Sequence, residues 1–416
     1  MARTASLITP ILIGGAMVLL LSNGIRSSFG LFQIPIAEDF GWPRSDYSLA
    51  LAIQALFWGI GQPLFGAFAE RFGDRIAIVV GVVLYAAGLV LSAYAGSPLG
   101  HQALGAIIGL GTAGTGFGVI LAMVGRAASD KNRSMALAIA SAAGSAGQLF
   151  GPPMTEAFLS LVTWQTSMLL LAGVIVLSLA FLPLLRGSDM APKAELEETL
   201  GQILGRALRD PSFTLIFVGF FSCGYQLAFI VAHFPAFVTD FCGPIASGTL
   251  LHDLGVTTTS ALGAVALGII GLANIGGTLL AGWLGARFSR KYLLAAIYTG
   301  RTVAAAIFIM LPITPVSVLV FSVVMGALWL ATVPLTSGLV GYIYGLRYMG
   351  TLYGIVFFSH QLGGFLGVWL GGLMFDVYGS YTEVWWVGVG VGALSAIVHL
   401  PIKEIPLGRR AEALAA

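Results

Sequence analysis

Twelve apolar stretches, each about twenty residues or longer, fill this chain almost from end to end, and that is the length an α-helix needs to cross the hydrocarbon core of a bilayer. They lie at about 7–36, 45–68, 76–96, 101–124, 134–158, 164–185, 211–238, 260–285, 291–312, 316–341, 350–375 and 383–402. Strands of a membrane β-barrel would be about half as long and would alternate in polarity; these runs do not alternate. Charged residues make up 9% of the 416 positions, against about 25% in ordinary soluble proteins. The expectation is an all-α membrane protein with twelve transmembrane helices. The first run is too long for the apolar region of a cleaved signal peptide, so it is expected to remain as the first helix.

The positions of the charges give the orientation. Of the 20 Lys and Arg, 17 lie in the termini and in the loops after even-numbered runs. Arg44 alone falls in a loop on the other side. By the positive-inside rule, a multi-pass cell-membrane protein with both termini in the cytoplasm is expected. The basic loops are thereby accounted for without a nucleic-acid partner. Cys223 and Cys242 form no disulfide framework and no metal-binding spacing, so no cofactor or metal is expected.

The longest polar stretch, 186–210, divides the chain into a first half, 1–185, and a second, 211–416, and the halves repeat. A shift of 200 aligns Ser22, Gly24, Phe29 and Pro35 with Ser222, Gly224, Phe229 and Pro235. A shift of 216 aligns Gly61, Gly66, Arg71 and Phe72 with Gly277, Gly282, Arg287 and Phe288. A third, of 220, aligns Gly144, Gly147, Gly151, Met154 and Glu156 with Gly364, Gly367, Gly371, Met374 and Asp376. Two six-helix bundles related by an axis along the membrane normal are expected, with a site near the midplane between them.

GAFAERFGDR (Gly66 to Arg75) and its copy GWLGARFSRK (Gly282 to Lys291) resemble the loop signature between the second and third helices of the major facilitator superfamily, with Asp74 where the signature usually has a base. The resemblance covers nearly the whole chain and implies the major facilitator fold and transport by alternating access. Gly66 then lets helices approach closely, while Glu70, Arg71, Arg75 and Arg287 are gating candidates. Phe29 to Ile53 and Lys131 to Pro153 are similar to the monocarboxylate and oxalate/formate porter branch. That branch often has a base in its first helix, matched by Arg26; in the eighth helix, where a second base is common, this chain offers Asn274 and Thr278. A cationic position seen in the eleventh helix of some relatives is matched by His360.

Arg26 lies a little past the middle of its run, where a charge costs about 2.5–3.5 kcal/mol on insertion scales. No Asp or Glu stands in the central part of any run; Glu156 and Asp376 sit at outer ends. An anion would meet Arg26, with Asn23, Gln54, Tyr225, Gln226, Asn274 and Tyr353 as hydrogen-bonding candidates and a fork suited to a carboxylate. Gln226, the repeat-mate of Arg26, is expected to face it. His360 is the candidate for proton coupling, with anion exchange as the alternative. Arg301 is expected to find a structural partner, and His233 reads as a structural histidine or a ligand. GLGTAG at Gly109 to Gly114 reads as close helix packing. Gly147, Gly151, Pro152 and Pro153 resemble an antiporter signature, which keeps open a second reading, a proton-coupled exporter of amphiphilic compounds. Nothing in the motifs points to an enzyme.

Overall fold

The computed structural model describes residues 7–42, 44–186 and 199–407. Twelve long helical segments follow the twelve apolar runs: α1 (Pro10–Phe32), α2 (Arg44–Phe72), α3 (Asp74–Ser92), α4 (Pro98–Ala127), α5 (Arg133–Leu161), α6 (Trp164–Leu185), α7 (Pro211–Phe241), α8 (Thr259–Gly285), α9 (Arg290–Met310), α10 (Pro315–Tyr344), α11 (Met349–Tyr378) and α12 (Thr382–His399). Eleven are long and apolar enough to span a membrane. The remaining one, α5, is 29 residues long and rich in Ala, Gly and Ser. Those same small residues bring it against α1 and α8.

Local chemistry sets the helix ends. Thr9, Ser97, Thr163, Thr258 and Thr314 each place a side-chain oxygen on the first-turn amides of α1, α4, α6, α8 and α10. Between the halves, a ten-residue helix (Leu200–Arg209) begins in a capping box of Thr199 and Gln202 and buries Ile203 and Ala207. Asp210 then caps α7 through the Ser212 amide, 3.0 Å away.

Four of the expected continuous helices are interrupted, among them α6, which tightens into a 3-10 stretch at Ser178–Leu185. α1 tightens into a 3-10 turn at Phe29–Phe32, directly after Ser27 and Ser28, whose hydroxyls both donate to the Gly24 carbonyl at 2.9 and 2.8 Å; such back-bonding bends helices. α4 is two helices, Pro98–Gly114 and Phe117–Ala127, and α10 is two helices, Pro315–Ala327 and Thr332–Tyr344. At a shift of 216 the two breaks coincide. Side chains of the preceding helices fill the freed backbone bonds. Gln62 of α2 donates to the Ala113 carbonyl and accepts from the Gly118 amide at 3.1 and 2.8 Å. Asn274 of α8 accepts from the Leu330 amide at 2.9 Å. Irregular backbone at this depth is tolerated because protein groups satisfy it.

The repeated glycines mark where helices cross. An added Cβ at Gly151 would lie 2.1 Å from the Gly24 carbonyl oxygen on α1, and one at Gly224 would lie 1.6 Å from that of His360 on α11. GLGTAG packs α4 in the same way, Gly109 against the backbone of Gln54 and Gly111 against that of Tyr85. Across the chain midpoint, α2 runs beside α11, and α5 beside α8 and α10.

Candidate functional site

Arg26 occupies the last full turn of α1 before the Phe29–Phe32 kink. Its guanidinium carbon stands 4.7 Å from the centroid of the Trp58 ring on α2. The side chain is half-buried, and its Nε is enclosed with no hydrogen-bond partner. Among the described residues no carboxylate pairs with it. A cation laid on an indole face gains about 1–2 kcal/mol when desolvated, which offsets part of the insertion cost and leaves the charge uncompensated.

Trp58 joins this arginine to the other half. Its ring centroid is 4.9 Å from that of Phe357 on α11, which in turn stacks on His360 at 5.1 Å with the rings 10° apart. Phe220 of α7 lies 5.0 Å from His360 and 6.1 Å from Tyr353. Arg26, Trp58, Phe357, His360 and Tyr353 therefore form one continuous wall across the α2–α11 seam. Within it the Trp58 Nε1, the Tyr353 hydroxyl and both His360 nitrogens are buried without a hydrogen-bond partner. Behind Arg26, the Ser22 hydroxyl is 2.8 Å from that of Thr115 at the α4 break, and Tyr85 donates to the Ser22 carbonyl at 3.4 Å. The second half of α4 starts two residues after Thr115, so this helix start lies about one turn of α1 from Arg26.

Trp58 and Phe357 were not among the expected site residues. A signal existed for the first: Trp58 follows Gln54 by four residues, so the two share one face of α2.

Asn23 and Gln54 are buried in the same half as Arg26. Asn23 donates to the Leu19 carbonyl at 3.2 Å and packs beside Gly144, while Gln54 lies where α2 meets α4. Three of the candidates are hydrogen-bonded away from Arg26. Gln226 does not turn toward Arg26: its amide donates to the Gly388 carbonyl on α12 at 2.8 Å. Tyr225 also faces α12, donating to Val384 at 3.3 Å. Asn274 is spoken for on three sides, donating to Ser145 of α5 at 2.8 Å and accepting from Thr278 and Leu330. In each case a backbone carbonyl or a helix break within reach claims the side chain, because an unpaired polar group in a membrane interior is expensive.

The end bearing the basic loops is closed. Gly66 backs onto Gly350 of α11, where an added Cβ would lie 2.4 Å from the carbonyl carbon. Glu70 accepts from both the amide and the hydroxyl of Thr351, in the first turn of α11, where the helix dipole favours a carboxylate. Across the other seam, Ser134 donates to the Gly282 carbonyl at 2.7 Å, and Gly282 faces Ala138. Among the described residues, Glu70 makes no ion pair with Arg71 or Arg75. Asp74, the departure from the signature, takes a two-pronged contact from Arg126 at 2.6 and 2.7 Å. Arg71 is exposed over Phe72, and Arg287 lies over Trp283 at 3.9 Å. In the second half the carboxylate of Glu404 serves Ser289, Arg290 and Lys291 at the start of α9.

Arg301 is fully enclosed and donates to the sulfur and carbonyl of Cys223 at 3.3 and 3.5 Å. His233 bonds the Val368 carbonyl of α11 at 2.9 Å, as a structural histidine does. The side chains of Glu156 and Asp376 lie outside the described residues.

Comparison with known proteins accords with this architecture. Residues 12–368 match the Major Facilitator Superfamily. An uncharacterized MFS-type transporter of Bacillus subtilis, YcxA, is 28% identical over 91% of each chain. Monocarboxylate transporter 13 of Bos taurus is 26% identical over 93% of this chain and 88% of its own. A solved structure of the E. coli fucose:proton symporter FucP superposes with a TM-score of 0.69 at 16% identity, covering 95% of this chain and 98% of that one. With its repeated glycine crossings, its paired helix breaks and a family match over most of its length, this chain belongs to the major facilitator superfamily and is a membrane transporter.

Proposed function

We propose that the protein carries a small organic anion, a monocarboxylate, by alternating access, and that Arg26 is the countercharge of the bound anion. The observation that supports this most directly is the guanidinium at the α2–α11 seam, seated on Trp58 with an enclosed Nε and no carboxylate beside it among the described residues. A planar fork of this kind takes a carboxylate in two parallel bonds, and the aromatic wall toward His360 accommodates a short apolar tail. Relatives that are monocarboxylate transporters or an oxalate:formate antiporter support the reading.

In this reading the halves 1–185 and 211–416, joined by 186–210, rock about the site. The basic end is cytoplasmic in the cell membrane, and its closure through Glu70, Thr351 and the two signature glycines is one extreme of the cycle, with Arg71, Arg75 and Arg287 at its edge. Asn23, Gln54 and Tyr353 stand in reach of the wall, and His360 is the coupling residue for protons. Exchange of anions is what remains if uptake ignores a pH gradient. In the exporter alternative Gly147 and Gly151 are the antiporter signature; they form the crossing with α1.

The test is a thermal-shift screen of the purified protein against carboxylates, followed by liposome uptake of the best ligand. A ligand that binds the folded state at about a hundred times its Kd stabilises by about 2.7 kcal/mol. Arg26→Gln should lose both the shift and the uptake while the empty protein stays as stable as before. Wild-type uptake by that variant would refute the assignment.

A further inference from the structure

At the basic end, the corner where α8 turns into α9 is hollow. A cavity of about 570 Å³ lies there, walled by the α8–α9 turn, by Tyr342 near the end of α10 and by the segment that follows α12. Four bases line it, Arg287, Arg290, Lys291 and Lys403, against one carboxylate, Glu404. That carboxylate is already engaged: it accepts from the Ser289 hydroxyl, from the amides of Arg290 and Lys291, and from the Arg290 guanidinium at 3.3 Å. Arg287 and Lys291 keep donors to offer. A guanidinium has five and an ammonium three; among the described residues Arg287 gives one to the Trp283 carbonyl at 3.3 Å, and Lys291 one to the Leu400 carbonyl at 3.0 Å. Positive-inside retention needs bases on this side of the membrane, but it does not gather them around a hollow.

The cavity also adjoins an apolar track. Leu272, Leu280 and Trp283 of α8 are exposed, and their spacing puts them, with Arg287, within about 80° on one side of the helix. Asn274 and Gly277 leave from the opposite side, toward α5 and α10, so the exposed stripe faces away from both. It ends where the Arg287 guanidinium stands 3.9 Å from the centroid of the Trp283 ring. An exposed tryptophan beside a base at the end of a spanning helix marks the membrane–water interface. The two corners of the repeat differ here. At the shift of 216, Arg287, Arg290 and Lys291 correspond to Arg71, Asp74 and Arg75. Where the first half has an acid, held by Arg126, the second has a third base.

We propose that this cavity holds the headgroup phosphate of an anionic glycerophospholipid, with Arg287 and Lys291 as its cationic partners and the Leu272–Leu280–Trp283 stripe as the bed of an acyl chain. Basic pockets between spanning helices suit such headgroups. A free phosphate shares the charge but has no use for the stripe, which is why the lipid is the favoured occupant. The assignment does not depend on which solute is carried. A phosphate in this place ties the start of α9 to the segment after α12, and that segment reaches α7 through the Lys403 amide, which donates to the Ser212 hydroxyl at 3.1 Å. Lipid binding therefore braces the second half at its basic end.

The test titrates the full-length protein in mixed micelles with phosphatidylglycerol, with zwitterionic phosphatidylcholine and with inorganic phosphate, counting retained lipid by native mass spectrometry and following thermal unfolding. The wild type should retain phosphatidylglycerol over phosphatidylcholine and melt higher in its presence. Equal retention of the two lipids overturns the proposal. So does the same thermal shift with inorganic phosphate, which would make the cavity a site for a free anion. Arg287→Gln combined with Lys291→Gln should lower the preference for phosphatidylglycerol by about fivefold per base removed. Arg71→Gln combined with Arg75→Gln takes the same charge from the corresponding corner of the first half and should leave that preference in place. Equal losses from the two pairs would mean diffuse attraction to the basic end and would overturn the site. Should the first pair fold poorly, Arg287→Gln alone, a change at an exposed side chain, decides the matter: an undiminished preference overturns the site, and a loss of about fivefold supports it.

Discussion

Arg26 in α1 and Arg301 in α9 are the two arginines set well inside spanning helices, and they are housed in opposite ways. Arg301 has no exposed surface, and its two terminal nitrogens donate to the sulfur and carbonyl of Cys223, while its Nε, like that of Arg26, has no partner. Arg26 is half-buried and stands over Trp58, whose ring meets Phe357 of the other half, and among the described residues none of its donors reaches a protein acceptor. A charge enclosed on all sides by one bundle can hold that bundle together, but it has no way to meet a solute. A charge at a seam is reachable when the seam parts. The same residue type at similar depth can thus be structural in one place and ligand-binding in the other, and the deciding property is what surrounds the guanidinium.

The largest effect expected to break this comparison is that of Arg301→Gln. Removing the guanidinium leaves the buried sulfur and carbonyl of Cys223 without their donor, at about 1–3 kcal/mol for each unsatisfied group, so folded protein should fall in size-exclusion profiles, with loss of transport following from loss of fold. If that variant folds at the wild-type yield and fails only in transport, the two arginines are more alike than their surroundings suggest. Arg26→Lys comes next. It keeps the charge and loses the fork, so it should bind the anion about tenfold more weakly, or about 1.4 kcal/mol, with its melting temperature unchanged. Anion affinity equal to wild type would mean that point charge alone is recognised. Trp58→Leu should have the smallest effect: loss of the cation–π seat, about 1 kcal/mol, read as a few-fold rise in the KM for uptake at similar kcat. A melting temperature that falls as far as in Arg301→Gln would place Trp58 in the scaffold instead.

How much of this could be read from the residues follows from what kind of contact each one makes. The spans, the repeat and the close packing at Gly66 and in GLGTAG were legible because length, spacing and the absence of a side chain are properties of the chain itself. The direction of Gln226 and Asn274 was not, because a helix apolar on nearly every face gives a polar residue no phase to follow, and it turns to whichever carbonyl or amide is nearest. The breaks at Thr115–Gly116 and between Ala327 and Thr332 were missed for a related reason. Their hydrogen bonds come from Gln62 and Asn274 on other helices, so the local sequence carries only half of the signal. The gate shows a third case: Asp74 looked like a defect in a signature until Arg126, 52 residues away, supplied its partner.

The glycine crossings also bear on how motion would be transmitted. Where Gly151 meets the Gly24 backbone and Gly224 meets the His360 backbone, no side chain separates the helices, and backbone on backbone has very little compliance. α1 with α5, and α7 with α11, then behave as stiff blades whose two ends cannot move independently. A displacement at the closed basic end would reach the level of Arg26 with little lost to bending, so the gate and the binding residue share a lever. Softening either fulcrum would leave both ends of the blade chemically intact and yet out of step with each other.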